Sequence, residues 1–318
     1  MSDSRCLACG ADAGRLVLVA RDRLVPRPET FPVRGCSRCG SWTVDLESHP
    51  RVPPEWMHGY YEYHDPAHRS RVRAIAVAVS RALRYAANPA QDRYWRRLEA
   101  LRADPLVFPH PLLDIGCGNG ELMLRLRGRG WSVKGIEPGK SAEAARARGL
   151  EVEVVGIEQA SFPDESFGLV IANHVLEHLE APSQAVERIF RWLKPGGVAL
   201  VRLPVCDSVA ARVFGRFWSQ LDAPRHRVLF SRRALQSLLA GSGLAIEERF
   251  SDAYGFGIWP SFAYMCGMSL GSVPDAFLRS LNLLFTPLAA VTNLLGTGDQ
   301  VTIIARRPRR MASPTSSA

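Results

Sequence analysis

The sequence predicts an α/β chain built on a mostly parallel sheet of seven strands, preceded by a small cysteine-rich module. Three observations carry that prediction. Strand-like and helix-like patterns alternate along residues 110–306, and such alternation builds crossover units and parallel pairing. The first strand-like run closes on a glycine loop, DIGCGNG, at residues 114–120. Two CxxC pairs stand within the first 50 residues.

Taken in order, residues 1–50 hold the two CxxC pairs with turn-rich sequence between them. Residues 51–109 are a connector and lid rich in proline, tyrosine and arginine. Within it Val72, Ile75, Ala76, Val79 and Leu83 follow helical spacing. Pro89 should end that helix, and a second helical stretch covers Arg93 to Arg102. In residues 110–306, PLLDIGCG, WSVKGIEP, EVEVVG, FGLVIANH and GGVALVRLP read as five successive strands. Helices are expected at Glu121 to Gly128, along SAEAARARG, and from Pro182 to Leu193. A helix at Arg232 to Ala240 and strands at Ala245 to Phe250 and Gln300 to Ala305 complete the pattern. Residues 307–318 read as a disordered tail.

Of the 318 residues 47% are apolar, enough for a sizeable core. The net charge is +9, but only Lys134, Lys140 and Lys194 among forty basic residues are lysines. So strong an arginine bias resembles a genome-wide codon effect more than a phosphate-binding face, and nucleic acid is not the expected partner. The start, MSDSRCLACG, lacks the basic and apolar regions of an export signal, and no apolar run of bilayer-spanning length occurs. The expected location is cytoplasmic.

The glycine loop and the acid after it carry the first site. Asp114, Gly116, Gly118 and Gly120 lie where the first strand ends, the edge at which open α/β sheets bind ligands. Glycines there permit tight backbone turns and close approach of a ligand to the main chain. Glu121 stands where a dinucleotide fingerprint needs its third glycine. Glu137 ends the second strand, where a carboxylate can accept hydrogen bonds from two ribose hydroxyls.

LLDIGCGNG, GIEP, SFPDESFGLVIANHVLEHL and LKPGG, in this order and spacing, resemble the class I S-adenosylmethionine-dependent methyltransferases, whose fold is Rossmann-like. The resemblance covers residues 110–205 most strongly. It implies that Gly116–Gly120 lies under the methionine part of S-adenosyl-L-methionine. Asp114 would orient that part, Glu137 would hold the ribose, and Asn173 would border the methyl group. Two positions depart from the family pattern. Gly156 and Ile157 stand where an acid often binds the adenine amino group, with Glu158 or a backbone group as the replacement, and PheGly at 167–168 replaces the common PheAsp. In VLEHL, Glu177 and His178 are expected to anchor helix and loop.

Cys6, Cys9, Cys36 and Cys39 form two CxxC knuckles, each followed by glycine. Four thiolates complete a tetrahedral Zn2+ site and leave no position open for water, so the expected metal role is structural, in a zinc-ribbon-like module. Cys117, Cys206 and Cys266 are expected to be small buried packers. A four-cysteine module, a tyrosine-rich connector (GYYEYH, 59–64) and then the methyltransferase domain resemble the enzymes of sugar and polysaccharide biosynthesis, including sugar C-methyltransferases. That likeness implies a small-molecule acceptor such as a nucleotide sugar or glycan precursor. The alternatives are a zinc-module ribosomal-RNA methyltransferase and a non-catalytic binding module that kept the fold.

Two histidines are candidates for a catalytic base. His174 follows the fourth strand beside Asn173. His226 precedes PheSer (230–231), and in the sugar C-methyltransferases that this chain resembles a histidine so placed carries the base role. Tyr60, Tyr61 and Tyr63 would help enclose the acceptor. The apolar insertion 253–296 exceeds a hairpin loop. A lid or a homo-oligomer interface is the expected use, with peripheral membrane contact the minority reading; Pro287 is expected to break its second piece.

Overall fold

A computed structural model describes residues 5–23, 28–46, 89–253, 255–268 and 275–309. The tyrosine-rich segment 59–64, the first connector helix (Val72 to Leu83) and the end of the expected tail lie outside the described residues.

Three short antiparallel strands open the fold: β1 (Arg15–Arg21), β2 (Thr30–Gly35) and β3 (Trp42–Val44). Helix α1 follows at Pro89–Arg102. It begins at Pro89, the residue expected to end the preceding helix. Proline fits a first helical position because the N–H it lacks would have no partner there.

The main unit alternates as its sequence pattern requires. Strand β4 (Leu112–Ile115) leads into α2 (Glu121–Arg127), β5 (Val133–Ile136) into α3 (Ser141–Ala147), and β6 (Glu151–Glu153) follows. Then come β7 (Phe167–Asn173), α4 (Pro182–Trp192), β8 (Leu193–Pro204) and α5 (Val209–Phe214). After β9 (Val228–Leu229) the chain forms α6 (Arg232–Gly241), β10 (Ala245–Ser251), α7 (Gly255–Met265), α8 (Asp275–Leu294) and β11 (Gln300–Arg306). The large sheet has the order β10-β11-β8-β7-β4-β5-β6. Pairing is parallel from β8 to β6, and β11 is antiparallel to both neighbours. The fold is therefore the Rossmann-like methyltransferase type with a mostly parallel seven-stranded sheet.

Strand alternation sends side chains to two cores. Leu113, Ile115, Val170, Ala172 and Val201 pack with Val186 and Ile189 of α4 and Leu235 of α6. Leu112, Leu169, Ile171 and Leu200 face the other way, against Leu98 of α1 and Met123 and Leu126 of α2. Helix α4 buries Ala185, Val186, Ile189 and Trp192, one stripe of helical spacing.

The cysteine-bearing segment is not a detached bead. Its sheet has the order β1-β2-β3-β9, so its fourth strand comes from residues 228–229. Trp42 pairs with Leu229 and Thr43 with Val228. A third core of Phe31, Val33, Val44, Trp218, Leu221 and Leu229 fills the seam. Ser231 ties it further: its hydroxyl donates to the Cys39 carbonyl at 2.6 Å while accepting from the Ala234 N–H as the cap of α6.

Three sequence expectations differ from the structure. Helix α8 runs through Pro287 without a break; the neighbouring turns hold the helix despite the hydrogen bond that proline cannot donate. Cys266 is exposed at the end of α7, whereas Cys117 and Cys206 are buried. Arg307, placed in the tail, continues the β11 edge through its N–H to the Gly197 carbonyl, and its guanidinium reaches the carbonyls of Phe190 and Leu193 and the Glu165 carboxylate. Helix α8 and the turn after it expose an apolar stripe of Leu284, Leu288, Val291 and Leu295. No described helix is long and apolar enough to cross a membrane.

Candidate functional site

The glycine loop turns from β4 into α2 through three residues of positive φ: Gly116 at 65°, Gly118 at 54° and Gly120 at 77°. L side chains seldom adopt that region. At Gly120 a Cβ would also collide with Leu150, so the turn admits only glycine. Gly116 lies against Val175: a Cβ there would meet its Cγ2 at 2.8 Å. The segment after β7 thus packs directly on the loop.

Glu137, fully buried just beyond β5, fixes the loop electrostatically. One carboxylate oxygen accepts the Gly118 N–H at 3.0 Å and the other accepts the Gly139 N–H at 2.8 Å. Asp114 is buried on the same edge. Burial, and then the neighbouring Glu137 charge, push its carboxyl up to about 8. An aspartic acid in that state needs a cation to recover its charge, which is what an α-ammonium group would bring.

Asn173 ends β7 and donates from Nδ2 to the Tyr94 hydroxyl at 3.0 Å. Its Oδ1 is buried with no hydrogen-bond partner. An unsatisfied buried acceptor at the ligand-binding edge fits a group that arrives with the cofactor or the acceptor. Tyr94 comes from α1, and Arg202 of β8 lies over its ring at 5.1 Å while pairing with the buried Asp252 at 2.6 Å. Nothing in the spacing of DRYWRRL placed Tyr94 at this edge; only the packing of α1 on the sheet reveals it. Glu158 is exposed in the turn after β6, next to the buried Ile157.

His174 takes a φ of 53° immediately after Asn173 and sets its Nδ1 3.1 Å from Glu177 Oε1. Its side chain is 35% exposed, whereas Glu177 is fully buried. His226 is buried too, with Nδ1 2.7 Å from the Gln220 carbonyl. Burial, reinforced by His178, pushes its imidazole down to about 4. His178 lies edge to face with His226, ring centroids 4.8 Å apart. Both histidines singled out as bases therefore lie near Glu177, the half-exposed His174 within hydrogen-bond distance and the buried His226 with its donor atom within 4.8 Å.

The four cysteines converge. Cys6 and Cys39 have sulfurs 3.6 Å apart, Cys9 and Cys36 3.7 Å apart, and all four lie within 4.8 Å of one another. Those separations exceed the roughly 2.05 Å of a disulfide. They match the roughly 3.8 Å between sulfurs set tetrahedrally at about 2.3 Å from one ion.

The family description "methyltransferase domain" matches residues 69–249, more than half of the chain. A ubiquinone biosynthesis O-methyltransferase of Alkalilimnicola ehrlichii is 38% identical over 94 residues, 27% of this chain and 38% of that protein. A malonyl-[acyl-carrier protein] O-methyltransferase of Enterobacter lignolyticus is 29% identical over 179 residues, 53% of this chain and 68% of that protein. The matches thus span from about two fifths to two thirds of these relatives' lengths. Among solved structures, a geranyl diphosphate C-methyltransferase from Streptomyces coelicolor A3(2) superposes with a TM-score of 0.43 at 20% identity, covering 62% of this chain and 71% of that one. On the family match, which spans more than half of the chain, the chain belongs to the methyltransferase-domain family.

Proposed function

We propose that the chain transfers the methyl group of S-adenosyl-L-methionine to a small-molecule acceptor of the nucleotide-sugar or glycan-precursor class. The observation that carries the cofactor reading is Glu137: a buried carboxylate at the end of β5 that already holds the Gly118 N–H of a left-handed glycine loop. Its oxygens have lone pairs left for ribose hydroxyls. Asp114 would take the methionine ammonium, and Asn173 Oδ1 would face the reacting end. Glu158, exposed after β6, would approach the adenine side.

Methyl transfer from a sulfonium is an in-line displacement, and positioning supplies much of its acceleration. A base is required where the acceptor must lose a proton. His174 stands beside Asn173 with Nδ1 turned to Glu177, so its Nε2 is the nitrogen available to an acceptor. His226 is held too deeply to meet an acceptor directly. Similar proteins are named for ubiquinone biosynthesis, for malonyl-[acyl-carrier protein] and for tRNA U34, so the acceptor class rests on the module order and composition of this sequence and not on those relatives. The four cysteines would hold one structural Zn2+ at the tetrahedral spacing that their sulfurs already show.

The test has two stages. Calorimetric titration should give binding of S-adenosylhomocysteine and none of NAD. A panel of nucleotide sugars, incubated with methyl-labelled cofactor, should then give a labelled product. Binding of NAD in place of S-adenosylhomocysteine would overturn the cofactor reading. Labelling of RNA and of no sugar would overturn the acceptor reading.

A further inference from the structure

Glu177, His178 and His226 present one side-chain donor atom each, and these atoms all lie within 4.8 Å of one another. Each residue is arranged as a ligand is. His178 sets Nδ1 3.0 Å from the Arg225 carbonyl, and His226 sets Nδ1 2.7 Å from the Gln220 carbonyl. A carbonyl can only accept, so both Nδ1 atoms carry the proton and both Nε2 lone pairs are left for another partner. Metal-bound histidines characteristically fix their second nitrogen in this way. Glu177 directs Oε1 to His174, while Oε2 is buried with no hydrogen-bond partner. A fully buried carboxylate with an unsatisfied oxygen is costly unless a cation compensates it.

The surroundings hold the three residues in place. Arg225, fully buried, is clamped by Asp22 at 2.7 and 2.9 Å and by Asp222, whose carboxylate lies 2.6 Å from Nη2. The Arg225 carbonyl that orients His178 is therefore fixed from the end of β1. The His226 N–H is bound to the Asp222 carbonyl at 3.1 Å, and the Arg227 N–H to the Glu177 carbonyl at 2.7 Å. Such a framework is what a preorganised site requires.

We propose that Glu177, His178 and His226 form a mononuclear site for a divalent first-row transition metal, distinct from the four-cysteine site. Two imidazoles and one carboxylate suit Zn2+, Co2+, Ni2+ or Fe2+ and disfavour Ca2+ and Mg2+, which prefer all-oxygen shells. Donor atoms bound at about 2.0–2.2 Å lie within about 4.4 Å of each other, so closing on an ion needs small side-chain rotations only. Three protein ligands leave coordination positions open. His174 is hydrogen-bonded to Glu177 and follows Asn173 in the chain, so on the methyltransferase reading above an open position would lie toward the acceptor and take one of its oxygen donors.

The experiment is a cobalt titration of the metal-free full-length protein without cofactor or acceptor, so that its outcome is independent of methyl transfer. Thiolate-bound Co2+ absorbs strongly by charge transfer, whereas Co2+ on imidazole and carboxylate shows only weak ligand-field bands. Wild type should take up two equivalents, one with each signature. Glu177→Gln, nearly isosteric, and His178→Gln should each lose the equivalent without charge transfer and keep the other. Saturation of wild type at the thiolate equivalent alone would overturn the proposal. So would two equivalents, spectrally unchanged, in folded Glu177→Gln and His178→Gln proteins.

Discussion

The Gly118 N–H donates to the Glu137 carboxylate at 3.0 Å, which joins the glycine loop after β4 to the acid after β5 before any ligand is considered. Glu137 therefore has two tasks: it shapes the loop and it faces the ribose. Glu137→Ala should weaken S-adenosylhomocysteine binding by about 1–3 kcal/mol, the range for a charge-assisted hydrogen bond. Glu137→Gln keeps one acceptor oxygen and should lose less. Calorimetry on the three proteins checks the order, and equal affinity across them would remove Glu137 from the cofactor site.

Asp114 gives a pH dependence of definite sign. Its folded carboxyl titrates at about 8, above the usual carboxylate value, because it is buried beside Glu137. Between about pH 4 and 8 the folded chain holds a proton that the unfolded chain has released. Its contribution to stability is therefore complete below about pH 4 and is lost as pH rises through 8. In urea unfolding, wild type should fall relative to Asp114→Asn over that window, by an amount on the order of a few kcal/mol. S-adenosylhomocysteine brings an ammonium group and should expel the proton at pH 7, seen as a binding heat that varies with the buffer. Parallel stability curves together with buffer-independent heat would contradict this placement.

The sheet was legible because its signals are local. DIGCGNG, GIEP and the apolar run of β7 each fix a strand end, and their order fixes the parallel core. The four cysteines were equally legible, since CxxC spacing alone brings paired thiolates together. Other features depend on residues far apart in the chain. The pairing of β3 with β9 joins residues 42–43 to 228–229. The contact of Tyr94 with Asn173 needs α1 packed on the sheet edge. Glu177 and His178 read as anchors, and their cluster with His226 was not legible, because His226 arrives from a loop some fifty residues later. Pro287 misled for the opposite reason: the local rule was sound, but the helical turns on either side continue through the proline.

The four-cysteine site should contain one equivalent of zinc, and its loss should be felt beyond the module. Its sheet takes β9 as a strand, and Ser231 bonds the Cys39 carbonyl while capping α6. Cys36→Ser should therefore lower the thermal midpoint of the whole chain rather than release an independent unit. Metal analysis and calorimetric scanning check this. Protein that carries no zinc, or a Cys36→Ser variant that melts as wild type does, would refute the structural role.

His174 and His226 differ in what their loss should do, and that difference separates a base from a ligand. His174 is half-exposed and reaches Glu177 with Nδ1. His226 is buried and faces His178. In single-turnover methylation of the acceptor that the sugar panel identifies, His174→Ala should slow transfer by about a hundredfold or more, within the range for lost general-base catalysis. It should leave S-adenosylhomocysteine affinity and both cobalt equivalents in place. His226→Ala should also slow transfer, but together with loss of the cobalt equivalent that lacks thiolate charge transfer. A rate unchanged in His174→Ala would exclude it as the base. A slow His226→Ala enzyme that keeps both cobalt equivalents would instead return the base role to His226.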